Sequence, residues 1–170
     1  MLNEKQKKMR EIAEQEFTKT DVQPGYPDWA NIQAGAPKQP GAVKNLTWCN
    51  RCAYRIATAL GGNMKPFLEE KGIEWTTANA MFNNGSKNAE SVHPEQAQLA
   101  ANQGAIILAA SFNSKGSGHV AIVMPDITPF DVKKGPYVAE AGEVCRFAYC
   151  YEAFEKWGFT PKFFVVPLIK

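Results

Sequence analysis

Reactive side chains are sparse in this chain, with four cysteines and two histidines among 170 residues. The most informative stretch is Asn45-Leu46-Thr47-Trp48-Cys49-Asn50-Arg51-Cys52-Ala53-Tyr54, continuing to Leu60 before Gly61-Gly62. Cys52, Ile56, Ala59 and Leu60 fall on one helical face, and Cys49 begins that stripe. The double glycine is a stop signal. The pattern predicts a buried helix with Cys49 at or near its N-terminus. A cysteine in that position is set up to react. The thiolate is the nucleophile, and a free thiol has a pKa of about 8.5. A helix N-terminus supplies roughly half a positive charge and unpaired N–H groups, and both favour the thiolate.

A cysteine nucleophile also needs a base that later serves as an acid, and imidazole does both. His93 precedes Pro94 in a polar loop with no apolar frame. His119 opens the apolar run of residues 120–123, which predicts a rigid strand, and Gly116 and Gly118 leave open space beside it. His119 is therefore the expected partner. Its second ring nitrogen needs an orienting acceptor. Glu140 follows Tyr137-Val138-Ala139 and precedes Ala141-Gly142. If strands 119–124 and 137–140 pair as a hairpin, their far ends meet and Glu140 comes close to His119. Each residue has an ordinary alternative: a small buried hydrophobe, a satisfied core histidine, a solvated strand end. The order along the chain is the specific signal: a cysteine opening a helix, a histidine opening a strand, an acid on the next strand.

The elements that must position these residues follow from periodicity. Residues 3–18 read as a surface helix docking Met9, Ile12, Ala13 and Phe17. Residues 22–42 hold Pro24, Gly25, Pro27, Gly35, Pro37, Pro40 and Gly41, which predicts a long loop pinned by Tyr26 and Trp29. A short helix is expected over 65–71. The polar stretch 74–92 reads as a short helix followed by an Asn/Gly loop. Residues 94–102 form a helix opened by proline and closed near Gly104. The period then changes to two. Strands are expected over 105–111, 119–124, 137–140 and 163–168, with a turn at 116–118. Residues 147–151 read as a strand or as the start of a helix reaching Trp157. The expectation is an α+β chain, helices first and then an antiparallel meander. It forms one domain over 1–170: an N-terminal helix to 21, a Pro/Gly-rich loop to 42 and a catalytic core from 43.

Composition removes several classes. Hydrophobic residues at 45% and charged residues at 21% exclude wholesale disorder. The net charge is +2, from 19 basic and 17 acidic residues, which argues against a dedicated nucleic-acid binder. The apolar runs at 105–110 and 163–169 fall short of the ~20 residues a membrane helix needs, so no integral membrane segment is expected. Four cysteines do not make a disulfide scaffold. The first ten residues carry charges with no apolar segment after them. The expectation is synthesis in the cytoplasm without a signal peptide.

Three stretches carry a resemblance. Trp48-Cys49-Asn50-Arg51-Cys52-Ala53-Tyr54 resembles a Cys-Asn-x-x-Val/Ala helix start. Gly116-Ser117-Gly118-His119-Val120-Ala121-Ile122-Val123 is similar to a Gly-His-Val-Ala-Val-Val strand. Tyr137-Val138-Ala139-Glu140-Ala141-Gly142 resembles a Val-Ala-Gln-Ala-Gly strand. Together, over residues 45–168, the chain resembles the papain-like amidohydrolases that cut bacterial cell walls, the CHAP and NlpC-type group. It departs from that pattern in carrying Glu140 where glutamine is common.

The resemblance implies a papain-like fold with the nucleophile helix packed on an antiparallel sheet. It implies a cysteine peptidase or amidase that cleaves an amide in peptidoglycan stem peptides or cross-links. Cys49 would be the nucleophile, His119 the acid/base and Glu140 the orienting residue. The backbone N–H of Cys49 would be one oxyanion donor and Asn45 a candidate for the second. Trp48, Asn50 and Trp75 are candidate substrate-binding residues, with Tyr26 and Asn79 as further groove walls; core packing is the alternative for the aromatics. No cofactor or metal is implied, the partner is peptidoglycan, and a monomer is expected. A wall hydrolase without an export signal resembles a phage or prophage endolysin, acting after holin-type release. The alternative is an amidase effector delivered by a secretion system, with a cognate immunity protein. Other readings stay open. Cys49-x2-Cys52 and Cys145-x4-Cys150 have the spacing of a structural zinc site in a non-catalytic domain. A thioredoxin-like role for Cys49 and Cys52 lacks the strand–helix–strand context. A binding domain that kept the fold without catalysis, and transglutamination or deamidation by the same three residues, complete the alternatives.

Overall fold

Helices take the first part of the chain and strands the second, as the change of hydrophobic period requires. A computed structural model describes residues 1–19, 48–73, 75–141 and 144–169. The loop expected over 22–42, with Tyr26 and Trp29, and the candidate Asn45 lie outside the described residues.

Helix α1 spans Glu4–Phe17. Asn3 caps it: its side chain accepts from the Gln6 N–H at 2.9 Å, and the Gln6 side chain accepts from the Asn3 N–H at 2.8 Å. This reciprocal pair satisfies two N–H groups the helix leaves open. Met9 and Ala13 bury its inner stripe. Arg10 ties it to the body of the protein by donating from Nη2 to the Pro125 carbonyl at 2.7 Å.

Helix α2 spans Cys49–Ala59, so Cys49 does open it. Gly61 ends it with φ +86°, a left-handed conformation that glycine adopts without a Cβ penalty. The buried face is Cys52, Ala53, Ile56 and Ala57. Ala59, expected on that face, is exposed. The face is rotated toward Ala53 and Ala57, and these small residues let the helix lie close on the sheet.

The helix expected over 65–71 is only a 3-10 turn, Lys65–Phe67, which buries Phe67. Helix α3, Ala78–Asn88, runs straight through the residues read as an Asn/Gly loop. Gly85 explains the misreading. A Cβ there would lie 3.0 Å from the Phe164 ring and 3.1 Å from Phe67. The glycine serves close packing of a helix on the sheet and does not break the helix. Helix α4, Pro94–Asn102, matches its expected bounds. Helix α5 is one turn, Cys150–Ala153.

Among the described residues, six strands form one antiparallel sheet: β1 (Ser91–Val92), β2 (Ile106–Ser111), β3 (His119–Val123), β4 (Tyr137–Ala141), β5 (Cys145–Tyr149) and β6 (Lys162–Val166). The order is β1-β6-β2-β3-β4-β5. Only β2 to β5 form the expected meander. Strand β6 crosses back to pair with β2, and the two-residue β1 pairs with its far side. The residues at 147–151 resolve into both alternatives, the end of a strand followed by a helical turn.

The sheet is covered on both faces. Leu108, Ala110, Val120, Ile122 and Ala139 pack toward α2 and α3. Ile107, Ala109, Ala121, Val123 and Val138 pack toward α4 and α5. Strands β2 and β3 are therefore buried along their whole length, which is why they read as unbroken apolar runs. Each fully buried Ile, Leu or Phe contributes about 1.5–3 kcal/mol of transfer free energy. The architecture is α+β, with five helices among the described residues. No helix among them is long and apolar enough to cross a membrane.

Candidate functional site

Cys49, His119 and Glu140 meet at one end of the central strands. Cys49 is the first residue of α2, and Trp48 at the N-cap lends no side-chain cap. The thiol and the His119 imidazole act on each other's protonation, each favouring the charged form of the other. His119 opens β3 and is 9% exposed. Its Nε2 lies 2.8 Å from Glu140 Oε2, which leaves Nδ1 to face the cysteine. Glu140 is 4% exposed.

Strand pairing explains the contact. Ala121 of β3 is the partner of Glu140 on β4. His119 is two residues from Ala121 and so projects from the same face, one diagonal step from Glu140. Long side chains reach that diagonal. The hairpin inferred from sequence is thus present, joined by residues 124–136.

The ring is held on several sides. Phe154 packs against it with centroids 4.9 Å apart. The His119 N–H donates to Ser111 Oγ at 3.2 Å, and that hydroxyl donates to the His119 carbonyl at 3.3 Å. Asn79 clamps the turn before the strand. Its Nδ2 donates to the carbonyls of Asn113 at 3.0 Å and Gly116 at 2.9 Å, and its Oδ1 accepts from the Asn113 N–H at 2.9 Å. Gly118 does not leave open space, as its sequence context suggested. A Cβ there would collide with the Ser111 carbonyl oxygen and Asn79 Oδ1. The glycine lets the turn close tightly on its clamp.

Electrostatics separate Cys49 from the other cysteines. Burial alone would raise its pKa. The hydrogen bond and charge of His119 oppose this, helped by backbone hydrogen bonds from Val120 and Asn50, and the pKa falls below the ordinary thiol value. Burial likewise opposes the imidazolium, but hydrogen bonds with Cys49 and Glu140 raise the His119 pKa to about 9. Burial would raise Glu140, yet His119 and then Arg146 hold it below the usual carboxylate range. The site therefore favours a thiolate, an imidazolium and a carboxylate together. Cys52, Cys145 and Cys150 are all pushed up, chiefly by burial, and stay thiols. None of the four cysteines is in a disulfide.

A zinc quartet does not assemble. Cys52 belongs to the core on one face of the sheet and Cys150 to the core on the other. Among the described residues, no group of three or more His, Cys, Asp or Glu side chains is placed to hold a metal ion.

The remaining candidates have other surroundings. Trp48 stacks under the Arg51 guanidinium, 5.3 Å from its ring centre. Asn50 is 8% exposed and donates from Nδ2 to the Thr76 carbonyl at 2.7 Å. That makes it a tie between α2 and the loop before α3, where sequence suggested a groove contact. Trp75 is 43% exposed, carries Lys71 over its ring at 5.0 Å, and borders a concavity with Leu68, Glu69, Glu70 and Asn84. None of the three central residues lines that concavity. His93 caps α4, away from the cluster.

Sequence reasoning missed Arg146. It sits directly across from Glu140 on β5 and donates from Nε to Glu140 Oε1 at 2.8 Å. Asn79 was singled out, but as a groove wall; its contacts make it the clamp of the histidine turn.

Two expected outcomes follow from this geometry. Asn79→Ala removes three hydrogen bonds from the turn before His119. It should lower the thermal midpoint, at a cost of about 1–3 kcal/mol, and slow alkylation of Cys49 at neutral pH. Cys52→Ala should cost about 1 kcal/mol in denaturant unfolding, for a small buried group, and leave the alkylation rate of Cys49 unchanged.

No family model matches this sequence, and no curated protein matches it either. The functional reading rests on the site itself.

Proposed function

We propose that this protein is a cysteine-dependent peptidoglycan hydrolase of papain-like type, cleaving an amide bond in stem peptides or cross-links. The observation that carries the reading is the line from Cys49, at a helix N-terminus, to His119, which favours its thiolate and is itself hydrogen-bonded to Glu140. The choice of peptidoglycan comes from the likeness of the three stretches around these residues to the CHAP and NlpC-type group.

The chemistry has two halves. The Cys49 thiolate attacks the carbonyl carbon of the amide. The backbone N–H of Cys49 faces the oxygen that gains charge. The tetrahedral adduct collapses, the C–N bond breaks, and the His119 imidazolium gives its proton to the departing amine. A thioester remains. His119, now neutral, takes a proton from water, and the resulting hydroxide attacks the thioester carbonyl. The carboxylic acid leaves and gives its proton to solvent, and the Cys49 sulfur returns as thiolate beside a reprotonated imidazolium. Glu140 keeps Nδ1 aimed at the sulfur and offsets the imidazolium charge throughout.

A phage or prophage endolysin is the preferred setting, and a secreted amidase effector with an immunity partner is the alternative. Both share this chemistry. The test is incubation of wild type and Cys49→Ala with isolated sacculi, followed by mass spectrometry of the released fragments. New termini that depend on Cys49 support the proposal, and their masses separate amidase from endopeptidase cleavage. Sacculi left intact by the wild type reject peptidoglycan as the substrate.

A further inference from the structure

We infer that Arg146 is a positioning residue of this site, fixing the Glu140 carboxylate so that its second oxygen is aimed at His119. The inference rests on the reading of Cys49, His119 and Glu140 as one reactive unit, and it adds a fourth member from a fourth element of the fold.

The geometry is a relay across three adjacent strands. Glu140 divides its two oxygens: Oε1 takes the Arg146 Nε–H at 2.8 Å and Oε2 meets His119 Nε2 at 2.8 Å. Glu140 and Arg146 are direct partners in the β4–β5 register, so the pair is built by the sheet. A glutamate side chain has three rotatable bonds and does not hold one aim unaided. A guanidinium on one oxygen and an imidazole on the other leave the carboxylate a single orientation.

An exposed arginine paired with a carboxylate would ordinarily carry little weight. This pair is different because only one partner is at the surface. The Arg146 side chain is 42% exposed, whereas that of Glu140 is 5% exposed. A carboxylate that deep is costly to keep ionised unless cations face it. Among the described residues, few groups act on Glu140. His119 lies on β3 and Arg146 on β5. The thiols of Cys145 on β5 and Cys150 on α5 also sense its charge, and both stay protonated. Cys49 on α2 acts through His119. Arg146 is thus the permanent cation against Glu140, while His119 must gain and lose its proton as the reaction proceeds.

The experiment reads Cys49 directly and needs no peptidoglycan. The rate of alkylation by iodoacetamide is measured against pH, with Cys49 identified by mass spectrometry. The proteins are wild type, Arg146→Ala, Arg146→Lys, Glu140→Gln, and Arg146→Ala combined with Glu140→Gln. Arg146→Ala should move the acid limb of the profile upward by about one pH unit, the size of effect an adjacent opposite charge exerts. The direction follows because Glu140 then protonates more readily and the imidazolium loses its counter-ion. Arg146→Lys keeps the charge without the fixed fork and should restore part of the shift. With glutamine at 140, Arg146→Ala should shift the limb no further. A cooperative thermal transition retained by Arg146→Ala, even at a lower midpoint, separates this from loss of fold.

An acid limb unmoved in Arg146→Ala would overturn the inference. So would an equal shift with and without the Glu140 carboxylate, since Arg146 would then act on Cys49 by its field alone. If the wild type fails to cleave sacculi but these shifts appear, the wall substrate is wrong and the role of Arg146 stands. A wild-type Cys49 that alkylates like an ordinary thiol removes both.

Discussion

Cys49→Ala should abolish release of fragments from sacculi, by at least about 10⁴-fold, while the protein stays folded. The magnitude follows from what is lost, since the reaction proceeds through a bond to the missing sulfur. Mutating one member of a tightly coupled catalytic set removes nearly the whole contribution of the set. The fold should persist because Cys49 is the first residue of α2 and only half-buried. The helix is held by Cys52, Ala53, Ile56 and Ala57, none of which changes. Cys49→Ser should be nearly as inactive. A hydroxyl is far less acidic than a thiol, and the field that lowers the Cys49 pKa is too small to ionise it. Thermal unfolding of both variants checks the fold, and the sacculus assay checks the chemistry. Substantial hydrolysis by Cys49→Ala would end the proposal. Loss of hydrolysis together with loss of folding would shift the test to Cys49→Ser.

Much of the fold was legible because both faces of its central strands are buried. Residues 106–111 and 119–123 are wholly enclosed, so their apolar runs announced them. Helix α4 was legible from its proline start and the left-handed Gly104 after it. Failures came where a local signal had a non-local cause. Gly85 reads as a helix breaker, yet it is required by the Phe164 and Phe67 rings beneath it. Strand β1 has two residues, too few to show a period. Strand β6 was found, but its place between β1 and β2 follows from long-range pairing, which periodicity does not encode.

The site divides the same way. Cys49 and His119 each open an element that sequence could delimit, and Glu140 lies one residue before the end of another, which is why the three could be singled out together. Arg146 was invisible because its role depends on the β4–β5 register, which sets Glu140 opposite it. The clamp made by Asn79 was hidden because its three hydrogen bonds go to a turn more than thirty residues away. Asn50 follows the nucleophile and looks like a site residue, but its amide is engaged with Thr76.

His119→Ala should be as damaging to turnover as loss of the cysteine, and it has a distinct signature in pH. Without the imidazole, burial of Cys49 is opposed only by backbone hydrogen bonds from Val120 and Asn50. The thiol pKa should then rise to or above the ordinary value of about 8.5. Alkylation of Cys49 at neutral pH should fall by at least about tenfold, the change expected for one pKa unit. Turnover should fall by about 10³-fold or more, because the departing amine loses its acid and water its base. Stability carries a second signature. His119 is raised from 6.5 to about 9, so folding takes up a proton in that window, and its contribution is lost as pH rises through about 9. Cys49 is lowered, so folding releases a proton from it, and its contribution has the opposite sign. In the wild type the two contributions oppose each other, and stability depends on pH less than either alone would make it. Cys49→Ala exposes the histidine's half. Burial lowers His119 and Glu140 is then left to raise it, so the thermal midpoint should fall with rising pH as far as Glu140 outweighs burial. His119→Ala removes that half altogether and should show no such fall. A flat profile for Cys49→Ala as well would mean that Glu140 does not outweigh burial of the ring, and that the raised His119 pKa depends on the Cys49 sulfur.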